Sequence, residues 1–376
     1  MNDELVVIGA GPAGLCAAIE ASRHGVRVLL IDENDRAGGQ LFLQTHKFFG
    51  SRHHMAGVRG LQIGKDLLEE AKGHGIELLL DTVVWGVFPD NRIAFTRGEG
   101  EQGSTQGSVV AKNIIIATGA VEKAVFFKGW TKPGVMGAGA AQKMMHVHRV
   151  LPGKKVLMVG SGNVGLIVSY QLAQAGAQVV GVIEMLPKIG GYQVHAGKIR
   201  RLAIPILTSH TIVEALGSPE VSGAVIARAG ADGKPIAGTE IEVSCDLICL
   251  AVGLRPFDEL ARASGLDMKY VGKAGGFVPL HDEQMETARR GVYVAGDLTG
   301  IEEANTAMDE GRLAGIVIAE RLGKLPKAKA EGLKNEIRKR LANLRIGSFG
   351  FERAAAKEAI LAGLKDAPGG KAASHA

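Results

Sequence analysis

Residues Leu5 to Gly14 leave few folds open to this chain. Leu5-Val-Val-Ile8 is a short apolar run of the kind a buried parallel strand makes. Gly9-Ala10-Gly11-Pro12-Ala13-Gly14 then forms a G-x-G-x-x-G turn that opens a helix. Gly9 permits the tight turn, Gly11 lets the backbone approach a pyrophosphate, and Gly14 lets helix and strand pack closely. Pro12 stands near the first helical position, where its missing N–H is harmless. The helix is expected to run through Ala17 and Ala21 to a cap at Gly25, and a second apolar strand, Val26 to Ile31, ends in Asp32-Glu33. Asp32 lies 18 residues beyond Gly14, where an acid bonds an adenosine ribose; Glu33 is the neighbouring candidate. A glycine turn without a ligand leaves that acid unexplained.

The order then returns. Lys155 to Val159 is a strand, Gly160-Ser161-Gly162-Asn163-Val164-Gly165 is a second G-x-G-x-x-G, a helix from Asn163 to Gln174 stops at Gly176, and a strand from Gln178 to Ile183 ends at Glu184, 19 residues past Gly165. Each copy closes on a buried strand and a glycine turn, Lys112 to Ala117-Thr118-Gly119-Ala120 in the first and Leu247 to Val252-Gly253 in the second. Two adjacent copies specify an α/β chain with two Rossmann-like dinucleotide-binding domains, which 376 residues can supply. Between the motifs, Arg36 to Leu41 reads as a loop, Gly64 to Lys72 as a helix, Ile76 to Leu80 as a strand, Val83–Val87 and Arg92–Thr96 as a hairpin turned by Pro89-Asp90-Asn91, and 98–107 as a polar loop. Beyond the second copy come a strand over Gly275–Leu280, a strand from Gly291 ending in Gly296-Asp297, and a helix from an Asn305 N-cap to Leu322.

Composition excludes several classes. No apolar run reaches the ~18 residues a membrane-spanning helix needs, and Met-Asn-Asp-Glu at the start carries no secretory signature, so a cytoplasmic protein is expected. The net charge of +5 is concentrated between Lys324 and Arg345, where eight Lys/Arg stand against two Glu. The body is therefore no nucleic-acid surface. Cys16, Cys245 and Cys249 form no disulfide framework and no zinc spacing. Cys245 and Cys249 flank an apolar strand at a spacing that puts them on one face, as buried structural thiols. His46, His53 and His54 match no metal spacing, so no metal site is expected.

Taken with Ala117-Thr118-Gly119 and Gly296-Asp297, the two glycine motifs resemble those of the two-dinucleotide-binding-domain flavoproteins, the superfamily of thioredoxin reductase and the disulfide reductases, over roughly Leu5 to Leu322. The resemblance implies FAD on the first unit and NAD(H) on the second. It also implies a discontinuous FAD domain, 1–122 with 276–325, around an NAD(H) domain, 123–275, with 326–376 as a helical basic tail. A narrower resemblance, carried by Asp32-Glu33, Gly38-Gly39-Gln40-Leu41, Gly134 to Ala141 and Gly296-Asp297, is to FAD-binding subunits of heteromeric sarcosine, proline, hydroxyproline and opine dehydrogenases and to related iron–sulfur-linked oxidoreductases, including aldehyde oxidoreductases. What it implies is an FAD contact set of Gly9, Gly11, Pro12, Ala13, Gly14, Asp32, Glu33, Gly39, Gln40, Leu41, Ala117, Thr118, Gly119, Gly296, Asp297, Asn305 and Thr306. The corresponding NAD(H) set is Gly160, Gly162, Asn163, Val164, Gly165, Glu184 and Gly253. Asp297 would bond the ribityl chain, and the helix from Asn305 would aim its positive end at the flavin pyrimidine edge.

Two departures from the resemblance matter. No C-x-x-C stands where thioredoxin reductases or disulfide reductases carry one, and no cysteine follows Cys249 to hold an iron–sulfur cluster. No side chain is expected to act catalytically, because hydride transfer to a flavin is the cofactor's chemistry. The expected function is an FAD-dependent oxidoreductase subunit passing electrons between NAD(H) and an iron–sulfur protein or catalytic dehydrogenase subunit in a hetero-oligomer. A self-contained NADH-dependent flavin dehydrogenase or oxidase, and a scaffold whose second unit holds a nucleotide structurally, stay open. In the tail, Leu333, Ile337, Leu341 and Leu344 share a helical face. That stripe suits either a partner or the chain's own first domain.

Overall fold

The computed structural model describes residues 2–98 and 103–366. The chain divides into two compact units, one made of residues up to 121 with those from 255 on, the other of residues 122–254. Residues 255–275 and both tail helices thus fall in the first unit, whereas the expected division places the former in the second domain and sets the latter apart. The reason is apolar burial. Leu260, Ala261 and Leu266 pack in one cluster with Val6 and Ile8 of the first strand, and the strand Met268–Val271 pairs antiparallel with Gly276–Pro279.

In the first unit the strand Asn2–Ile8 lies between Val28–Ile31 and Thr105–Ile116, parallel to both, and Glu77–Leu79 extends the sheet beyond Val28–Ile31. Thr105–Ile116 also pairs with Val292–Val294 in parallel and with the hairpin strand Arg92–Arg97 in antiparallel. Thr105–Ile116 begins inside the expected polar loop; residues 99–102 of the loop lie outside the described residues. Side chains alternate across the pleat, Leu5 and Val7 entering one apolar cluster and Val6 and Ile8 another, so the strand is buried on both faces.

The helices Pro12–Arg23 and Ala304–Arg321 cover the Leu5 face and cross closely, because glycine removes the side chains between them. A Cβ at Gly311 would stand 2.1 Å from the Ala13 carbonyl oxygen, and one at Gly315 would stand 2.6 Å from that of Ala17.

The tail forms two helices, Lys327–Leu344 and Gly347–Asp366. Ile337 and Leu341 are buried in the same core as the first helix, and Leu333 packs against it. The stripe residues Leu333, Ile337 and Leu341 are therefore covered by the chain's own first unit and are not free to dock a partner. Several of the cations around them are also engaged internally. Lys334 pairs with Glu320 and Glu331, and Arg340 clasps the fully buried carboxylate of Asp309 through Nε and Nη2, each at 2.9 Å. The expected small-residue terminus, 367–376, lies outside the described residues.

The second unit has a five-stranded parallel sheet in the order Ile206–Thr208, Gln178–Glu184, Lys155–Val159, Leu247–Leu250, Val135–Gly137. Beside it stands a three-stranded antiparallel sheet, His210–Leu216, Gly223–Arg228 and Ile241–Val243, that no motif marks. Cys249 sits in the cluster under one face and Cys245 in the cluster under the other. The expected shared face fails because Cys245 precedes the strand, which starts at Leu247.

Two expectations test the docked tail. Ile337→Ala should cost about 2–5 kcal/mol, the range for a buried aliphatic truncation, read as a lower urea midpoint; a solvated stripe would leave the midpoint unchanged. Asp309 is raised by burial, but His54, Arg340 and Arg312 outweigh this and hold it well below the ordinary carboxylate range. Its stabilising contribution is therefore complete above about pH 4 and lost as pH falls toward the depressed value. Asp309→Asn should lose roughly 3–5 kcal/mol at neutral pH and show a shallower acid-induced decline than the wild type in urea titrations between about pH 5 and pH 2.

Candidate functional site

The first glycine turn is shaped by three glycines with three different surroundings. Gly9 has φ +101°, and a Cβ there would stand 2.3 Å from the Ala117 carbonyl oxygen. A Cβ at Gly14 would stand 1.8 Å from the carbonyl oxygen of Gly9, so helix and turn touch backbone to backbone. At Gly11 a Cβ would meet nothing within 4 Å. The helix begins at Pro12 with Gly11 as its extended N-cap, which leaves the first-turn N–H groups free for an anion.

Asp32 ties this turn to the second strand. Its Oδ2 accepts the Ala10 N–H at 2.6 Å, and its Oδ1 accepts the N–H and the Nδ2 of Asn34, each at 2.9 Å. Gly38 donates its N–H back to the Ala10 carbonyl at 2.7 Å, and Gly39 lies on Gly11, where a Cβ would come 2.9 Å from the Gly11 Cα. Glu33 and Gln40 are exposed beside it, whereas the side chains of Leu41 and Ala13 are buried in the core, leaving those two residues only backbone to offer a ligand. The turn at Ala117-Thr118-Gly119 closes beneath: Ala117 is buried, Thr118 donates its hydroxyl to the Phe257 carbonyl at 2.8 Å, and Gly119 has φ +76° with open space around it.

The segment Gly296-Asp297 comes to the same place. Gly296 has φ +75°, and a Cβ there would stand 2.8 Å from the Ala13 Cβ, so Asp297 sits beside the first turn of the opening helix. Among the described residues the Asp297 carboxyl receives one hydrogen bond, a long one of 3.5 Å from the Glu302 N–H. Burial, reinforced by the carboxylates of Glu310, Glu302 and Glu303, pushes it up to about 7.

Asn305 does not cap its helix as expected. Glu303 occupies the N-cap position, and Asn305 donates Nδ2 to the Phe49 carbonyl at 2.7 Å while its buried Oδ1 has no partner among the described residues. Thr306 is buried and donates to Glu302 at 3.2 Å. An open backbone cradle, an under-bonded carboxyl and an unpartnered amide oxygen are what a polyhydroxylated dinucleotide would complete.

The second unit repeats the device. Gly160 has φ +106° and would place a Cβ 2.3 Å from the Ala251 carbonyl oxygen, Gly165 would place one 2.1 Å from the Gly160 carbonyl oxygen, and Gly162 again faces open space. Glu184 Oε2 accepts the N–H and hydroxyl of Ser161 at 2.9 and 2.7 Å, and its Oε1 accepts the Leu186 N–H at 3.0 Å. Gly191 donates its N–H to the Ser161 carbonyl at 2.9 Å, and Tyr192 donates its N–H to Asn163 Oδ1 at 2.8 Å, which folds this loop over the turn. Val164 packs into the core, and Gly253 closes the neighbouring strand with φ +115°.

The loop reveals a repeat longer than the glycine motif. Asp32, Arg36, Gly38 and Gly39 have the same spacing as Glu184, Lys188, Gly190 and Gly191. Acid, base and paired glycines recur in register, a signal that aligning the two halves exposes.

Other groups gather where no motif marks them. Glu310, Arg345, Lys357, His281 and Thr299 form one hydrogen-bonded cluster against the Gly296 turn. His54, which fits no metal spacing, stands 2.9 Å from Asp309. Among the described residues no group of three His, Cys, Asp or Glu is placed to hold a metal. The three cysteines are free thiols, and burial pushes Cys16 and Cys245 up to about 11 and Cys249 up to about 12. No helix among the described residues is long and apolar enough to cross a membrane.

Comparison with known proteins is consistent with this geometry. The sequence pattern of the pyridine nucleotide-disulphide oxidoreductases matches residues 3–311, and proteins of that family bind FAD and NAD(P)H. The chain is 29% identical over 335 residues to one of the subunits of opine oxidase from Agrobacterium tumefaciens (strain Ach5), covering 83% of this chain and 64% of that protein. It is 27% identical over 345 residues to the alpha subunit of sarcosine oxidase from Corynebacterium sp. (strain P-1), covering 87% of this chain and 34% of that protein. The chain therefore spans less than two thirds of the length of each. In fold it is similar to thioredoxin reductase of T. acidophilum, with a TM-score of 0.68 at 22% identity over 85% of this chain and 99% of that one.

The glycines separate folding from binding. Gly11→Ala and Gly162→Ala should fold with nearly unchanged thermal midpoints, since neither Cβ meets an atom, yet each should weaken nucleotide binding at its own turn by about tenfold or more in equilibrium titrations. Gly14→Ala and Gly165→Ala should instead fail to give folded protein.

Proposed function

We propose, for a chain that belongs to the pyridine nucleotide-disulphide oxidoreductase family, that the first unit holds FAD, the second holds NAD(H), and the protein is the flavin subunit of a hetero-oligomeric amine- or amino-acid-oxidising complex. It would exchange electrons with an iron–sulfur protein or a catalytic dehydrogenase subunit. One observation carries the cofactor reading: both glycine turns leave their middle glycine facing open space while an acid pins the turn from the adjoining strand. The two relatives, each a subunit of an opine or sarcosine oxidase, support the complex and the substrate class.

Bound FAD would supply chemistry that joins two-electron hydride transfer to one-electron transfer. The chain's own residues bind and orient. The first-turn N–H groups after Gly11 would take a pyrophosphate. Asp32 uses three of its roughly four lone-pair sites on Ala10 and Asn34, which leaves room for a ribose hydroxyl. Asp297, with its one long hydrogen bond, would accept a further hydroxyl from the ribityl chain.

In the second unit Glu184 occupies the strand end where a 2′-hydroxyl would lie, and a carboxylate repels a 2′-phosphate, so NAD(H) is favoured over NADP(H). The buried, protonated thiols provide no dithiol relay. Electrons would then leave through another polypeptide.

The test is anaerobic reduction of the flavin in the purified protein. NADH should bleach it faster than NADPH at limiting concentrations. A flavin-loaded protein that NADH cannot reduce would assign the second unit to a structurally held nucleotide instead. Asp297→Ala should weaken FAD retention by about 0.5–1.5 kcal/mol, the range for the net contribution of a hydrogen bond; unchanged affinity on dialysis would remove Asp297 from the cofactor.

A further inference from the structure

We propose that the C-terminal helix Gly347–Asp366 is part of the flavin site, with Lys357 a positioning residue that acts through Glu310 on the Gly296-Asp297 turn. The proposal rests on the reading that the first unit holds FAD.

Lys357 is a buried lysine more than fifty residues beyond the turn it touches. Its Nζ donates to the Thr299 hydroxyl at 2.8 Å and to the Thr299 carbonyl at 3.2 Å, and it pairs with Glu310 Oε1 at 2.9 Å. Glu310 is buried as well and divides its two oxygens. Oε1 takes Lys357 and Arg345 Nη2, the latter at 2.8 Å. Oε2 accepts the Gly296 N–H at 3.0 Å and lies 2.8 Å from the Thr299 hydroxyl. Burial works against the Glu310 charge, but the cations of Lys357 and Arg345 outweigh it and hold the carboxyl below its ordinary range. His281, 3.4 Å from Lys357, is buried beside the ammonium and adds no charge, being pushed down to about 3 by burial and by Lys357.

The consequence falls on Asp297. Its carboxyl has one long hydrogen bond, so its own partners do not fix its place; the backbone on either side does. That backbone is held at Gly296 by Glu310 and at Thr299 by Lys357. The same two tail cations offset the carboxylates of Glu302, Glu303 and Glu310 that surround Asp297, together with Arg353, which pairs with Glu303 at 3.0 Å. Removing Lys357 would loosen the turn and leave an uncompensated negative charge beside the site. A negative charge there disfavours a reduced, anionic flavin and lowers its midpoint potential.

A packing role would not need this chemistry, and a second buried lysine provides the contrast. Lys334 in the preceding helix is buried and paired with Glu320 and Glu331, and no hydrogen bond among the described residues joins it to the Gly296 turn. The experiment uses the full chain carrying Lys357→Met, Lys357→Arg or Lys334→Met, with FAD titrated into deflavinated protein, the flavin midpoint potential and the thermal midpoint all measured. Lys357→Met should bind FAD at least tenfold more weakly with a more negative potential, and Lys357→Arg should recover part of both. Lys334→Met should lose thermal stability while keeping wild-type affinity and potential. If Lys357→Met does not fold, Thr299→Val, which deletes the hydroxyl between Lys357 and Glu310 without stranding a charge, should still weaken FAD about threefold. Wild-type affinity and potential in Lys357→Met, or in Thr299→Val when it stands in, would overturn the proposal. Equal loss of FAD affinity in Lys357→Met and Lys334→Met would do the same. Failure of the wild-type chain to take up FAD would instead overturn the flavin reading beneath it.

Discussion

At Ala13 the opening helix is approached by two other stretches of backbone at distances that leave no room for side chains. Gly296 comes in beside its Cβ and Gly311 against its carbonyl oxygen, while at the next residue Gly14 lies on Gly9. Each approach uses a glycine because a Cβ would overlap atoms that cannot move aside as the end of a flexible side chain can. The helix Pro12–Arg23 is thereby fixed against its own strand, against the helix Ala304–Arg321 and against the Gly296-Asp297 segment together. Dispersion contacts at such short range fall off steeply with distance. The packing therefore fixes positions sharply, and a turn that must receive a ligand gains a rigid frame.

The same crossing concentrates acid. Glu302, Glu303, Asp309 and Glu310 all lie on or just before the first turns of one helix, and all four are paired within the fold. A helix N-terminus favours negative charge, but burying several carboxylates together requires opposite charge in contact. The tail supplies it through Arg340, Arg345, Arg353 and Lys357. Part of the basic excess that looks, in the sequence, like a surface offered to an acidic partner is counter-charge for the protein's own acidic helix start, Arg340 to Asp309 and Arg345 to Glu302 and Glu310. This arrangement also explains why the tail helices stay docked: their apolar face joins the core while their cations close over buried acids.

The two units apply one solution with different fittings. In both, an acid at the end of the second strand accepts the N–H of the residue between the first two glycines, Ala10 or Ser161, and a double glycine folds back onto the turn. In the first unit Gly38 and Gly39 take positive φ. In the second, Ser161 adds a hydroxyl to the acid and Asn163 fastens Tyr192. The second turn is accordingly more tightly bonded to its loop, which favours a site of fixed shape.

Sequence alone determined the strands beside the glycine turns, the turns themselves, the acids at the strand ends and the duplication, because each depends on local rules: apolar runs, the conformational freedom of glycine, and fixed spacing along one strand–turn–helix unit. Leu5 to Gly14 and Lys155 to Gly165 adopt the forms their residues dictate. Tertiary structure decided what joins those units to distant chain. Asn305 has the residue type of a cap, but the helix starts beyond Glu303 and leaves Asn305 bonded to Phe49. Cys245 and Cys249 part because the strand begins after the first of them. Lys357, Glu310 and His281 carry no motif, and no spacing relates them; only the folded chain brings them together. Their placement follows from the desolvation of charge, which is settled by which buried groups happen to face one another and so has no signature in any local stretch of residues.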